Sequence, residues 1–166
     1  LVSDGQNRLY ISNQISGTIT VLNNLKQPKE IVLVEPTICQ PASLALWRNQ
    51  LLVSLSGIDQ MVIIDTQSRE EIHRFAVGDY PDHCQISDNR MYVALRRENK
   101  IAVIDLTIPA RKYRIPVSRE PGPMVIDTNQ SSLYVCNTSD NTVSVVDLQV
   151  ERELYRIRVG QKPNQI

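Results

Sequence analysis

The 166-residue sequence predicts an all-β repeat protein, and three observations carry the prediction. One stretch recurs four times at a nearly constant spacing, apolar residues alternate with period two inside each copy, and the polar break in each copy holds residue types that tolerate a left-handed backbone. The copies are LYISNQISGTITVLNN (9–24), LLVSLSGIDQMVIIDT (51–66), MYVALRRENKIAVIDL (91–106) and LYVCNTSDNTVSVVDL (133–148). Tyr10, Leu52, Tyr92 and Tyr134 mark one position, and Asn23, Asp65, Asp105 and Asp147 mark another; both series step by 42, 40 and 42 residues.

Each unit reads as four short strands. The first follows a proline: PASLAL from Pro41, PDHCQI from Pro81, PGPMVI from Pro121, and a truncated PNQI from Pro163. The second and third are the LYVCN-type and VSVVD-type runs. The break between them carries Gly17, Asp59, Asn99 and Asn141, the types suited to a tight antiparallel hairpin. A fourth run, such as EEIHRFAVG (70–78) or RELYRIRVG (152–160), leads to the next proline. The units span approximately 1–40, 41–80, 81–120 and 121–162, and 163–166 opens a further one.

The third strand says how these sheets are covered. Ile19/Val21, Met61/Ile63, Ile101/Val103 and Val143/Val145 line one face, and Leu22, Ile64, Ile104 and Val146 on the other face are apolar too, so both faces are buried. Ser12, Ser54, Ala94 and Cys136 on the second strand, with Thr20, Val62, Ala102 and Ser144 on the third, are small, which lets neighbouring sheets approach closely. A four-stranded unit of about 40 residues, packed on both faces by copies of itself, is a β-propeller blade. Helical repeats would need a period near 3.6, and the Gly-His and Trp-Asp signatures of WD40 blades are absent.

LYVCN with NTVSVVD, followed by RVGQKP, resembles the YVTN β-propeller repeat, whose consensus runs Tyr-Val-Thr-Asn, a turn, Asn-Thr-Val-Ser-Val-Ile-Asp, then Val-Gly and Pro. The resemblance covers the whole chain. It is closest in the fourth repeat and good in the first; in the second and third, Leu55 and Leu95 stand where the motif has Asn. It implies about seven blades in a complete ring, and a periplasmic, secreted or cell-surface location. The expectation is therefore a single propeller domain or segment over 1–166: about four blades of four antiparallel strands, cut from a larger ring. A start at Leu1 rather than Met agrees with a processed or excised piece. The ends share one phase, since joining Ile166 to Leu1 puts Tyr10 thirteen positions after Pro163, as Tyr134 is after Pro121; closure of the chain on itself is the alternative.

Composition excludes several function classes. Eighteen basic and eighteen acidic residues cancel, so nothing draws the whole chain to nucleic acid, and Trp47 and Phe75 are too isolated for a base-stacking platform. The charge is uneven, however: residues 1–83 carry 6 basic and 9 acidic groups, and residues 84–166 carry 12 and 9. No apolar run approaches the roughly 20 residues of a transmembrane helix. Cys39, Cys84 and Cys136 form no CxxC pair and signal neither a disulfide framework nor zinc.

The candidate chemistry is sparse. Asp65, Asp105 and Asp147 are expected to bind the backbone of the turn that follows rather than a metal. His83, with Asp82 and Cys84 beside it on a strand predicted to line the central channel, is the one histidine placed for acid–base or ligand work, but His83 and Cys84 point to opposite faces. His73 reads as an outer-strand surface residue, Cys136 as an inert core residue, and Cys39 as a loop residue with potential reactivity. The channel-mouth candidates are Asp82, His83, Gln85, Asn164 and Gln165. Arg96, Arg97, Arg111, Lys112, Arg114, Arg156 and Arg158, with Arg119, Arg152 and Lys162 nearby, form a candidate basic patch for an acidic partner, or charged edges that block unwanted strand addition. Asn129-Gln-Ser and Asn137-Thr-Ser match the glycosylation sequon. No catalytic motif is present, so a non-enzymatic binding or scaffold module without cofactor is the leading expectation, its partner another protein or the remaining blades of a larger propeller. A lyase or a quinone- or haem-linked dehydrogenase, with its site at the channel mouth, is the alternative by fold analogy.

Overall fold

The computed structural model describes residues 1–5, 7–23, 26–32, 36–108 and 111–166. The strands are β1 (Val2–Ser3), β2 (Arg8–Asn13), β3 (Thr18–Asn23), β4 (Lys26–Val32), β5 (Pro41–Trp47), β6 (Gln50–Leu55), β7 (Gln60–Asp65), β8 (Glu71–Ala76), β9 (Pro81–Ser87), β10 (Arg90–Leu95), β11 (Lys100–Asp105), β12 (Lys112–Pro116), β13 (Pro121–Asp127), β14 (Ser132–Asn137), β15 (Thr142–Asp147) and β16 (Arg152–Arg158). One four-residue helix, α1 (Pro36–Cys39), precedes β5. The strands form four separate sheets, β1–β4, β5–β8, β9–β12 and β13–β16, each hydrogen-bonded in chain order as an antiparallel meander. The chain divides into two compact units, Leu1–Pro81 and Asp82–Ile166, and the boundary falls at the proline that opens the third repeat.

Every predicted hairpin forms in register, with Tyr10 opposite Val21, Leu52 opposite Ile63, Tyr92 opposite Val103 and Tyr134 opposite Val145. The four turn residues have positive φ: Gly17 65°, Asp59 60°, Asn99 56° and Asn141 54°. Asp59, Asn99 and Asn141 also serve as acceptors. Their Oδ1 atoms receive the amides of Tyr80 (2.9 Å), Glu120 (3.1 Å) and Lys162 (2.9 Å), each 21 residues later and just before a proline. Those pre-proline residues themselves have φ near +50°, a costly state that the bond from the turn helps to hold.

The third strands are buried on both faces in β7 and β11, where Met61 to Ile64 and Ile101 to Ile104 are all at most 7% exposed. In β3, Thr20 and Leu22 are only half-buried, so the first sheet has one well-covered face. Within the first unit the core joins Tyr10, Ile19 and Val21 of one sheet to Leu44, Leu51, Val53 and Val62 of the next. Within the second, Tyr92, Ile101, Val103 and Ile115 pack with Met124, Leu133, Val135 and Val146. The small second-strand residues also bond: Ser54 Oγ receives the Ser43 amide at 2.8 Å beside a break in the β5–β6 register.

The Leu-for-Asn departures have a local explanation. Asn13 Nδ2 donates to Thr18 Oγ1 (3.0 Å) and Thr20 Oγ1 (2.7 Å), and Asn137 Nδ2 donates to Thr142 Oγ1 (3.1 Å) and Ser144 Oγ (2.7 Å). In the middle repeats Val62 and Ala102 stand where Thr20 and Ser144 offer hydroxyls, and the clamp is apolar: Leu55 and Leu95 are fully buried. The turns keep the same φ either way.

Candidate functional site

The aspartates that end the strands act on their own turns. Asp65 Oδ1 receives the amides of Gln67 and Ser68, both at 2.8 Å; Asp105 receives Thr107 (2.8 Å) and Ile108 (3.3 Å); Asp147 receives Gln149 (2.7 Å) and Val150 (3.1 Å). Asp127 repeats the pattern with Asn129 and Gln130 at the end of β13. These backbone donors hold the carboxyl of Asp65 below the usual carboxylate range, and at Asp105 the Thr107 hydroxyl and amide do the same. Among the described residues no group of three His, Cys, Asp or Glu is placed to hold a metal ion.

Of the channel-mouth candidates, Asp82, His83 and Gln85 lie on β9. His83 Nδ1 receives the Met124 amide at 3.4 Å, which leaves the other ring nitrogen as the proton carrier of the neutral form. Burial lowers the His83 pKa, and the charge of Asp82 opposes that only in part. Asp82 is 3.3 Å from Arg96, and Arg96 reaches Glu120 at 3.6 Å, so one guanidinium bridges two carboxylates at the rim of this sheet pair. A side chain at Gly122 would stand 3.4 Å from the Asp82 carboxylate, so glycine leaves that carboxylate room. Asn164 and Gln165 are exposed at the C-terminal end, where the Gln165 carbonyl accepts from Cys136 Sγ (3.7 Å) and the Pro163 carbonyl from Thr138 Oγ1 (3.3 Å).

The basic residues meet acids that sequence reading did not assign to them. Arg114 pairs with Glu98 (3.3 Å), Arg119 with Asp140 (2.6 Å), Arg156 with Glu153 (2.6 Å) and Arg90 with Glu151. Arg97, Arg111, Lys112 and Arg158 are exposed. Asp140 also accepts the Ser118 hydroxyl and the Arg119 amide, and the guanidinium and these bonds together drive its pKa far down. One signal could have found that pair: its 21-residue separation matches that between each turn residue and its pre-proline amide.

Cys39 corrects an expectation, because it is fully buried on α1 with Sγ 3.9 Å from the Gly17 carbonyl, rather than loop-exposed. Cys136 is buried, and burial pushes its thiol up. His73 is exposed and stacks on Phe75. Of the two sequons, Asn137 is fully buried with its amide nitrogen engaged, and only Asn129 is exposed.

The sheet face of the fourth repeat that turns away from this core is the least covered apolar surface of the second unit. Val125, Tyr134, Val145 and Tyr155 are directly paired neighbours across four strands, and so share that face. Val125 is 39% and Tyr155 57% exposed, and Ile157, opposite Val143, is 44% exposed.

No family model matches the sequence, and no curated protein is significantly similar to it. Solved structures are similar in fold. A streptogramin B lyase superposes with a TM-score of 0.86 at 14% identity, over 99% of this chain and 56% of the other. The Cps50 (Swd1) β-propeller domain of Myceliophteria thermophila gives 0.79 at 14% identity, over 99% and 56%. A chain of a nidogen/laminin complex gives 0.78 at 11% identity, over 95% and 61%. The chain thus spans little more than half the length of these proteins. At such identities the likeness shows the fold alone: the four sheets are those of a β-propeller.

Proposed function

We propose that the chain is a non-enzymatic protein-binding or scaffold module, which receives a protein partner or further blades on the outward sheet face of the fourth repeat. The observation that carries this is the outward row Val125–Tyr134–Val145–Tyr155, of which Val125 and Tyr155 are exposed together with Ile157, while Arg156 and Arg158 alternate with them along the same strand. Tyrosine, aliphatic and arginine side chains together are the composition of protein interfaces. Residues 163–166 repeat on this sheet a contact made inside the first unit: Cys136 Sγ donates to the Gln165 carbonyl, as Ser12 Oγ does to the Ala42 carbonyl of β5. The surface is thus suited to receiving another sheet. Exposed Arg111 and Arg158 favour an acidic rim on whatever docks. The YVTN resemblance adds a periplasmic, secreted or surface location, and the nidogen/laminin likeness agrees with a propeller inside a protein complex.

One observation favours a second reading, an enzyme of the lyase or redox type with its site at the channel mouth: His83 is held neutral by burial, beside the Asp82–Arg96–Glu120 cluster. A photo-crosslinking residue at position 155, activated in extract of the host, separates the two. The scaffold reading expects a discrete protein adduct, competed by unlabelled chain and lost with Ile157→Glu. Stoichiometric metal or cofactor, removed by chelator together with an activity that His83→Ala also removes, would overturn it.

A further inference from the structure

The second unit contains a cleft of about 650 Å³ between its two sheets, on the side where β9 turns into β10. One wall is Asp88, Arg90 and Asp105; the other is Ile126, Leu148 and Gln149. A smaller chamber of about 60 Å³ shares Arg90 and Asp105 with it and is closed by Arg111, Tyr113 and Glu151. The Tyr113 hydroxyl is buried beside Glu151 at the base of the site, outside normal hydrogen-bond geometry.

We infer that this cleft is a binding site for a small uncharged polyhydroxylated molecule, a neutral sugar of one or two rings. The volume lies within the roughly 300–1,000 Å³ of small-ligand sites. The chemistry narrows the ligand. Arg90 is paired with Glu151 across the gap, and the Asp105 carboxylate is engaged by the amides and hydroxyl of its own turn, so the walls hold little unanswered charge for an ion to pair with. Hydroxyl groups, each both donor and acceptor, suit walls that alternate carboxylates with guanidinium and amide. Ile126 and Leu148 offer an apolar strip for the C–H face of a ring. Tyr92 lines the cleft but is only 2% exposed, which leaves no open aromatic plate and argues against an aromatic ligand.

The local fold opens this space. In the first unit the equivalent arginine, Arg8, bridges the two sheets through the carbonyl of Thr66 at 3.0 Å, whereas Arg90 reaches Glu151 instead and Leu148, the counterpart of Thr66, lines the cleft.

Saturation-transfer NMR on the full chain, with maltose, cellobiose, lactose and diacetylchitobiose as probes and inorganic phosphate as a charged competitor, tests the assignment. Transfer to at least one disaccharide, undiminished by excess phosphate, is expected. Asp88→Asn keeps a residue type that tolerates the local φ of 53°, and Gln149→Ala lies in an exposed turn, so both variants retain the native near-ultraviolet signature. Each should weaken that sugar about tenfold, the loss of one hydrogen bond to a well-placed group. Gln161→Ala, in the exposed segment after β16, leaves it unchanged. Absence of transfer to all four sugars, displacement of the sugar by phosphate, or sugar binding unaltered in both folded variants would overturn the inference.

Discussion

Arg8 and Arg90 open the second strand of their sheets, each two residues before a buried tyrosine, and they do different things. Arg8 is held by Asp4 at 2.5 Å and by the Thr66 carbonyl, so the seam between the first unit's sheets is bridged. Arg90 has Ile86 four residues before it and only Asp88 and Asn89 between its strand and the last; it crosses instead to Glu151. Two copies of one template thus bridge their seams differently, one through a backbone carbonyl and the other through a carboxylate with a cleft beside it. The lesson is that the repeat specifies the sheets, while single residues in the short turns decide what surface they present.

The comparison extends to the hairpin tips, and its largest expected effect is there. Leu95→Asn would bury an amide opposite Lys100 and diagonal to Ala102, where the first and fourth repeats supply hydroxyls; stability should fall by about 3 kcal/mol or more in chemical denaturation. The reverse change, Asn137→Leu, should cost less, because it also removes the partnerless buried Oδ1 of Asn137. A melt in which the two cost the same would remove the polar-clamp explanation.

Next comes the first unit's helix. A side chain at Gly57 would come within 1.8 Å of the Ile38 carbonyl, so Gly57→Ala must displace α1 and should cost about 1–3 kcal/mol. At the equivalent exposed Arg97 of the third repeat, alanine should change the melting free energy by no more than about 0.5 kcal/mol.

Acid should act on the second unit through Asp140. Its pKa is depressed in the folded chain, so the stabilisation is present above the unfolded carboxylate value of about 3.9 and is lost as pH falls through the lower folded value. The Arg119 amide, which donates to Asp140 at 2.8 Å, should therefore lose hydrogen-exchange protection only well below pH 4, and Asp140→Asn should remove that dependence. Protection that changes near neutral pH would contradict the assignment.

The smallest expected effect is a matched pair. The hydroxyls of Tyr10 and Tyr113 are both buried and neither makes a hydrogen bond of normal geometry, so Tyr10→Phe and Tyr113→Phe should each leave the unfolding free energy unchanged or raise it by up to about 1 kcal/mol. A clear loss at Tyr113 alone would reveal a bound water in its chamber.

Period-two burial, the hairpin turns and the turn-binding aspartates were legible because each depends on residues a few positions apart. Asx bonds reach two or three residues, and positive φ is tolerated by few residue types. The strained residues before each proline were not legible, since Gln40, Tyr80, Glu120 and Lys162 share no chemistry; a distant acceptor or neighbouring backbone holds them. Among the site candidates, the sequence assigned Arg96, Arg114 and Arg156 to a basic face, and folding supplied each with a carboxylate.

By itself, the sequence determined a four-times repeated antiparallel sheet, its turns and the apolar strips along both faces, because those follow from local spacing and from the two-residue period of a strand. Only the tertiary structure decided which charges are answered, that Cys39 is buried, and that one seam is bridged through a backbone carbonyl and the other through a carboxylate beside a cleft. Those outcomes depend on side chains tens of residues apart meeting across packed sheets, a distance no local pattern encodes.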